Sequence, residues 1–276
     1  MSFKSRIVAG AAVLLALGLG NAAVATAAHA PPTGRGHRPI VATGVGAATS
    51  ANWAGYAITR SATSTAKFTR VFAAWVQPAV TCVPGEQTFS AFWVGLGGFN
   101  VDSQALEQVG TQADCSVAGK ASYSAWYELV PAAPVTIKLA VSPGDSIVAS
   151  VAVSGRSVTV KIRNYTRKKG FTKKLTMRSP DLTSAEWVAE APSTCTRAGV
   201  CAPLPLANFG TVTFVSASAT GGGHAGTIAD PAWTSTAITL DGSDPRGSNA
   251  DATPAPLSSN GSSFGVTWSA AVPATG

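Results

Sequence analysis

The chain has 276 residues, 20 of them Lys or Arg against 13 Asp or Glu, a formal net charge of +7 and three histidines. That balance is only modestly basic and excludes the charge footprint of a nucleic-acid-binding domain. So few histidines also exclude chemistry built on several of them.

Lys4 and Arg6 precede an apolar run over 7–19 and small residues ending Ala25-Thr26-Ala27, which reads as a signal peptide over 1–27 and hence as a secreted protein. The run is roughly 13 residues, short of the roughly 20 that a spanning helix needs, and no later segment is apolar for as long, so no membrane contact is expected after processing. Processing removes two basic and no acidic residues, leaving 18 − 13 = +5. Residues 28–49 are rich in Pro, Gly and Ala and read as a tether or short pro-segment, with the folded domain over 50–276.

From Asn52 onward the pattern has a period of two. Ile147, Ala149, Val151 and Val153 share one face of a strand over 146–153. Over 157–163, Val158, Val160 and Ile162 point one way and Thr159, Lys161 and Arg163 the other, with Ser154-Gly155-Arg156 as the hairpin turn between the two strands. Further β-rich segments lie at 52–58, 68–77, 89–96, 106–113, 122–129, 135–140, 175–177, 185–190, 211–216, 236–240 and 264–268. None carries a helical stripe. Short strands set among 28 Gly and 17 Pro predict one all-β domain, an antiparallel sandwich or barrel. The stretch 221–263 reads as long surface loops around one short strand. Arg163, Arg167, Lys168, Lys169, Lys173 and Lys174 read as a solvated hairpin, and no nucleic-acid partner is expected.

Cys82, Cys115, Cys195 and Cys201 are an even number in an exported chain, which predicts two disulfides. Of the three possible pairings, Cys195 with Cys201 closes a short local loop and is favoured, leaving Cys82 with Cys115. No C-x-x-C or H-x-x-x-H spacing exists, and the only histidine after residue 37 is His224, so neither metal nor any other cofactor is expected.

The same scarcity narrows the chemistry. Gly144-Asp145-Ser146 is followed by Ile147 and Val148, and the upstream histidines His29 and His37 lie outside the domain, so Ser146 reads as the start of a strand rather than a triad nucleophile. Paired cysteines leave no thiolate. Asp241-Gly242-Ser243 has the wrong order for an aspartic dyad, and zinc hydrolysis lacks its ligands. Carboxylate or amide chemistry remains. Its candidates are Glu107, Glu128, Glu186 and Glu190, all in strand-like, aromatic surroundings where a carboxylate is rarely placed without a reason. On a strand Glu186, Val188 and Glu190 share one face.

At these residues a resemblance becomes specific. Asn52-Trp-Ala-Gly-Tyr56, Phe92-Trp-Val-Gly-Leu96, Glu107-Gln-Val-Gly110, Tyr123-Ser-Ala-Trp-Tyr-Glu128, Pro143-Gly-Asp-Ser146 and Ala185-Glu-Trp-Val-Ala-Glu190 resemble, in order, the motifs of the glutamic peptidases, the eqolisins. The resemblance implies a sandwich of two large antiparallel sheets, of the concanavalin-like or jelly-roll type. It also implies a secreted, monomeric, pepstatin-insensitive acid endopeptidase acting on polypeptides, with Gln108 and Glu190 catalytic and Trp93 binding substrate. Glu190 would act as general base and Gln108 would steady the water and the oxyanion. Glu128 reads as a buried, hydrogen-bonded structural carboxylate. The chain departs from the family pattern at Gly97, Gly98 and Ser124, where fungal members tend to carry aspartates; Asp102 is a candidate substitute for the first. The alternative is a carbohydrate-active β-sandwich, since Glu186-x-x-x-Glu190 has a glycosidase-like spacing, although Val188 stands where that motif carries an aspartate. A third reading is a catalytically silent binding module on the same fold.

Overall fold

The structure is a computed structural model that describes residues 41–44, 46–61, 65–100, 102–195, 201–243 and 248–271. The proposed signal peptide and most of the proposed tether lie outside the described residues. Among the described residues there is no helix. The strands in chain order are Val41–Gly44 (β1), Ala47–Ser50 (β2), Trp53–Arg60 (β3), Phe68–Val76 (β4), Thr88–Leu96 (β5), Leu106–Cys115 (β6), Ala121–Val130 (β7), Val135–Ile137 (β8), Ser146–Ser154 (β9) and Ser157–Asn164 (β10). They continue with Lys169–Thr176 (β11), Ser184–Glu190 (β12), Ser193–Cys195 (β13), Cys201–Pro203 (β14), Thr211–Gly221 (β15), His224–Thr227 (β16), Trp233–Leu240 (β17), Ala250–Pro254 (β18) and Phe264–Ala270 (β19).

Pairing resolves these into two sheets. The first runs β1-β2-β17-β3-β12-β5-β6-β7-β8. The second runs β11-β10-β9-β4-β15-β19-β18, with β16 on the far end of β15. A single pairing, Leu240 with Ala252, joins β17 to β18 and makes the hydrogen bonding continuous between the sheets. The β2–β17 pair is parallel; the other pairs in these two series are antiparallel.

Alternation gives the first sheet two distinct faces. Its inner face contributes Tyr56, Val94, Leu96, Val109, Ala185 and Trp187 to the main core, where they meet Trp75, Ile147, Val151 and Phe214 of the second sheet. Polar groups cross the same layer: Trp187 Nε1 donates to the Phe72 carbonyl at 2.9 Å and Trp75 Nε1 to Thr111 Oγ1 at 3.1 Å. The outer face carries a second apolar cluster, Trp53, Ala57, Trp93, Leu106, Trp126 and Val188, with Phe99 packed against it.

Gly55 is what lets β3 lie against β12. Its φ is +146°, and a Cβ there would stand 2.0 Å from the Trp187 carbonyl oxygen. Cys82 and Cys115 form a disulfide that ties the segment after β4 to the end of β6. Cys201 is also disulfide-bonded, and Cys195 is its register partner across β13–β14, although the Cys195 side chain lies outside the described residues.

Several elements differ from the sequence expectation. The sheet begins before residue 50, because β1 and β2 lie inside the stretch read as a tether and β2 pairs with β17. The stretch 221–263 holds β16, β17 and β18 rather than one short strand. Lys169–Thr176 is a full edge strand carrying the lysines expected in a solvated hairpin. Exposed lysines on such an edge oppose pairing with another chain.

Candidate active site

Four neighbouring strands build the site. In the first sheet β5 lies between β12 and β6, and β7 follows β6, so Glu186, Gly95, Gln108 and Glu128 form one cross-strand row on the outer face. Glu190 ends β12 on that same face, beyond Val188. Val188 pairs with Trp93, and Trp93 with Gly110. A Cβ on Gly95 would lie 2.9 Å from Trp93 Cζ3, so that glycine makes room for the indole.

Three N–H donors converge on Glu190. Trp93 Nε1 donates to Oε2 at 2.7 Å, while Trp53 Nε1 and Asn52 Nδ2 donate to Oε1 at 3.3 Å and 3.2 Å. The two indoles meet edge to face, with ring centroids 5.0 Å apart. Ser50 fixes the approach of this segment, its Oγ accepting from the backbone N–H of Asn52 and of Trp53. Burial pushes the Glu190 carboxyl up to about 7, and the bonds from Trp93, Trp53 and Asn52 pull against that rise.

Gln108 is 3% exposed and donates through Nε2 to Glu128 Oε2 at 2.7 Å. Glu128 is 6% exposed, and burial together with the charge of Glu190 raises it to about 8. Glu128 bonds Gln108 and feels the charge of Glu190. Glu128 is thus buried and hydrogen-bonded, with the candidate catalytic amide as its partner. Trp93 is fully buried, and what it offers is its bond to Glu190.

Two further carboxylates sit beside the cluster. Glu186 is 0% exposed; burial pushes it well above the ordinary range, with Asp181 and Glu107 adding repulsion. Glu107 points to the inner face beside Leu96, and burial raises it to about 8. Glu186 is fully buried, which does not suit a carboxyl that must reach a sugar.

A cleft of about 790 Å³ opens beside the apolar cluster, lined by Ala47, Phe99, Asp102, Asp181 and Thr236 among others. Asp102 lines this cleft, and neither Gln108 nor Glu190 does. Among the described residues no group of three or more His, Cys, Asp or Glu is placed to hold a metal ion.

Asn52 and Trp53 are the site residues that sequence reasoning did not assign. Their motif was visible, but nothing local indicates that β3 lies against β12 with Trp53 opposite Glu190.

Comparison with known proteins follows the same lines. The family model of the peptidase A4 family matches residues 51–251. Aspergillopepsin-2 of Aspergillus niger is 33% identical over 143 residues, which is 50% of this chain and 48% of that protein. The match therefore spans about half the length of that relative. Scytalido-glutamic peptidase, solved with a peptide-based transition-state analogue, superposes with a TM-score of 0.63 at 24% identity, over 79% of this chain and 98% of that one. Aspergilloglutamic peptidase from Aspergillus niger superposes with a TM-score of 0.51 at 28% identity, over 66% and 99%.

Proposed function

The chain belongs to the peptidase A4 family, and from that premise we propose that it is a secreted endopeptidase that hydrolyses polypeptides with Glu190 and Gln108. The observation that carries this reading is the set of three N–H donors gathered on Glu190 from two indoles and an amide. They orient both carboxylate oxygens and favour the charged form in a half-buried site, as a general base requires.

In the proposed reaction Glu190 takes a proton from a water molecule, whose oxygen attacks the scissile carbonyl carbon. The carbonyl π electrons move onto its oxygen, giving a tetrahedral oxyanion. Gln108 has an N–H to offer that oxyanion and a carbonyl oxygen to steady the water. Glu190 then returns its proton to the departing amine as the C–N bond breaks. Trp93 and Trp53, both buried, hold the Glu190 carboxylate in place through their indole N–H groups. No step calls for a cofactor.

Burial of Glu190 bears on the working pH. With the carboxyl raised to about 7, the base form declines about tenfold per pH unit below that point. This favours mildly acidic conditions over strongly acidic ones. Export is supported by the Cys82–Cys115 disulfide, since such bonds persist in oxidising compartments.

The test is to incubate the exported chain with denatured protein from about pH 2 to 8, with and without pepstatin. Cleavage on the acid side of neutrality that resists pepstatin is expected. No cleavage at any pH would leave a silent member of the family.

A further inference from the structure

Gln108 and Glu128 stand directly opposite each other on β6 and β7, joined by the 2.7 Å bond from Gln108 Nε2 to Glu128 Oε2. That bond leaves Gln108 Oε1 and Glu128 Oε1 buried, each without a partner among the described residues. With Glu128 ionised, both orphans are acceptors, and buried acceptors without donors are costly. One proton on Glu128 removes the imbalance, because a carboxylic acid has a hydroxyl to give and an amide has a carbonyl to receive it. Amide and acid are then mutually complementary, N–H to C=O one way and O–H to C=O the other. The second hydrogen of Gln108 Nε2 stays available to the reacting oxygen.

We propose that Glu128 is a positioning residue that acts as the neutral acid, locking the Gln108 amide plane through reciprocal hydrogen bonds, and that its deprotonation unlocks the amide and switches the site off. The effect on activity rests on the dyad reading above; the lock itself does not.

Few groups face Glu128. From β6 comes Gln108, and from β12 comes Glu190, whose negative charge opposes a second one nearby. β8, on the other edge of β7, brings Val135, Thr136 and Ile137, none of them ionisable. Among the described residues no Lys, Arg or His forms an ion pair with Glu128. Burial and the charge of Glu190 outweigh the Gln108 N–H bond, which favours the ionised form, and lift the carboxyl to about 8. Glu190 has three N–H donors that favour its charged form and Glu128 has one, so the two carboxyls divide the roles of base and acid.

The experiment uses the isotopically labelled full chain. A pH titration follows the Gln108 side-chain NH₂ signals and the Glu128 carboxyl carbon, beside pH profiles of kcat/KM for the unsubstituted protein and Glu128→Gln on one peptide substrate. The Gln108 signals are expected to shift with the Glu128 midpoint, and the alkaline limb of activity to share it. In Glu128→Gln the side chain cannot ionise yet still offers N–H to Gln108 Oε1. Activity below the midpoint should stay within about tenfold, and the alkaline limb should move up by about one pH unit or more. Gln108 signals indifferent to the Glu128 midpoint, or an unmoved limb in Glu128→Gln, would overturn the lock. If the variant does not fold, the titration of the unsubstituted protein decides alone. If the unsubstituted protein cleaves nothing, the dyad reading falls, and the titration still decides the lock.

Discussion

Trp93 Nε1 lies 2.7 Å from Glu190 Oε2, the shortest of the three bonds that hold this half-buried carboxylate. The donor favours the ionised form, so removing it raises the Glu190 pKa further above the ordinary value. Trp93→Phe keeps the ring and loses the N–H. The acid limb of kcat/KM is expected to move to higher pH by up to about one unit, lowering the rate in mild acid by up to about tenfold. A pH–rate profile of both proteins measures this, and an unmoved acid limb would deny Trp93 its role on Glu190.

Buried carboxyls make stability depend on pH with a definite sign. Glu107 and Glu128 are raised to about 8, Glu190 to about 7, and Glu186 well above its ordinary value. In the unfolded chain each returns to about 4.3. A raised folded pKa contributes stability that is fully present below the unfolded value and is lost as pH rises through the folded one. The melting temperature is therefore expected to fall from about pH 4.5 to 8. Thermal unfolding across that range checks it, and a flat or rising curve would contradict it.

Asp145 carries the opposite sign. Its Oδ2 accepts from Arg167 Nε at 2.7 Å, Asn164 Nδ2 at 2.7 Å and the Ser142 backbone N–H at 2.8 Å, and although burial opposes them these bonds lower its pKa. Its contribution is present above the unfolded value and is lost as pH falls through the folded one. Asp145→Ala should destabilise the β9–β10 region by about 2–3 kcal/mol at neutral pH, measured by urea unfolding. The deficit should shrink in strong acid, where the unsubstituted protein loses the same charge.

Gly55→Ala tests the backbone that holds Glu190 in place. A methyl group there meets the Trp187 carbonyl oxygen at 2.0 Å in a region of φ that side chains avoid. The expected loss is about 3 kcal/mol, read by denaturant unfolding. Peptidase activity should fall even in the folded fraction, because β3 carries Trp53, with Asn52 just before it, to the carboxylate.

How much of this was legible in the sequence depended on what each residue faces. Strands buried on at least one face, such as Ser146–Ser154 and Ser184–Glu190, announce themselves through apolar alternation or a dense apolar run. Lys169–Thr176 does not, because an edge strand exposed along most of its length needs no apolar face. Ala47–Ser50 is built from Ala, Thr and Ser and is held by backbone pairing that leaves no hydrophobic mark. At the site, Gln108, Glu128 and Glu190 could be singled out as residues. That Gln108 rests on Glu128 follows from the register of β6 on β7, which no spacing along the chain encodes. The donors of Glu190 come from other strands or the turn before one, so only the fold brings Asn52, Trp53 and Trp93 together.

The most direct measurement is the rate of peptide hydrolysis by Glu190→Gln, taken at the pH optimum of the unsubstituted protein. The substitution keeps the shape of the side chain and removes its ability to accept a proton from water. With Glu190 as the base, kcat is expected to fall by about 10³-fold or more while the variant unfolds as a native fold does. Undiminished proteolysis by a folded Glu190→Gln protein would contradict the assignment of Glu190 as the catalytic base.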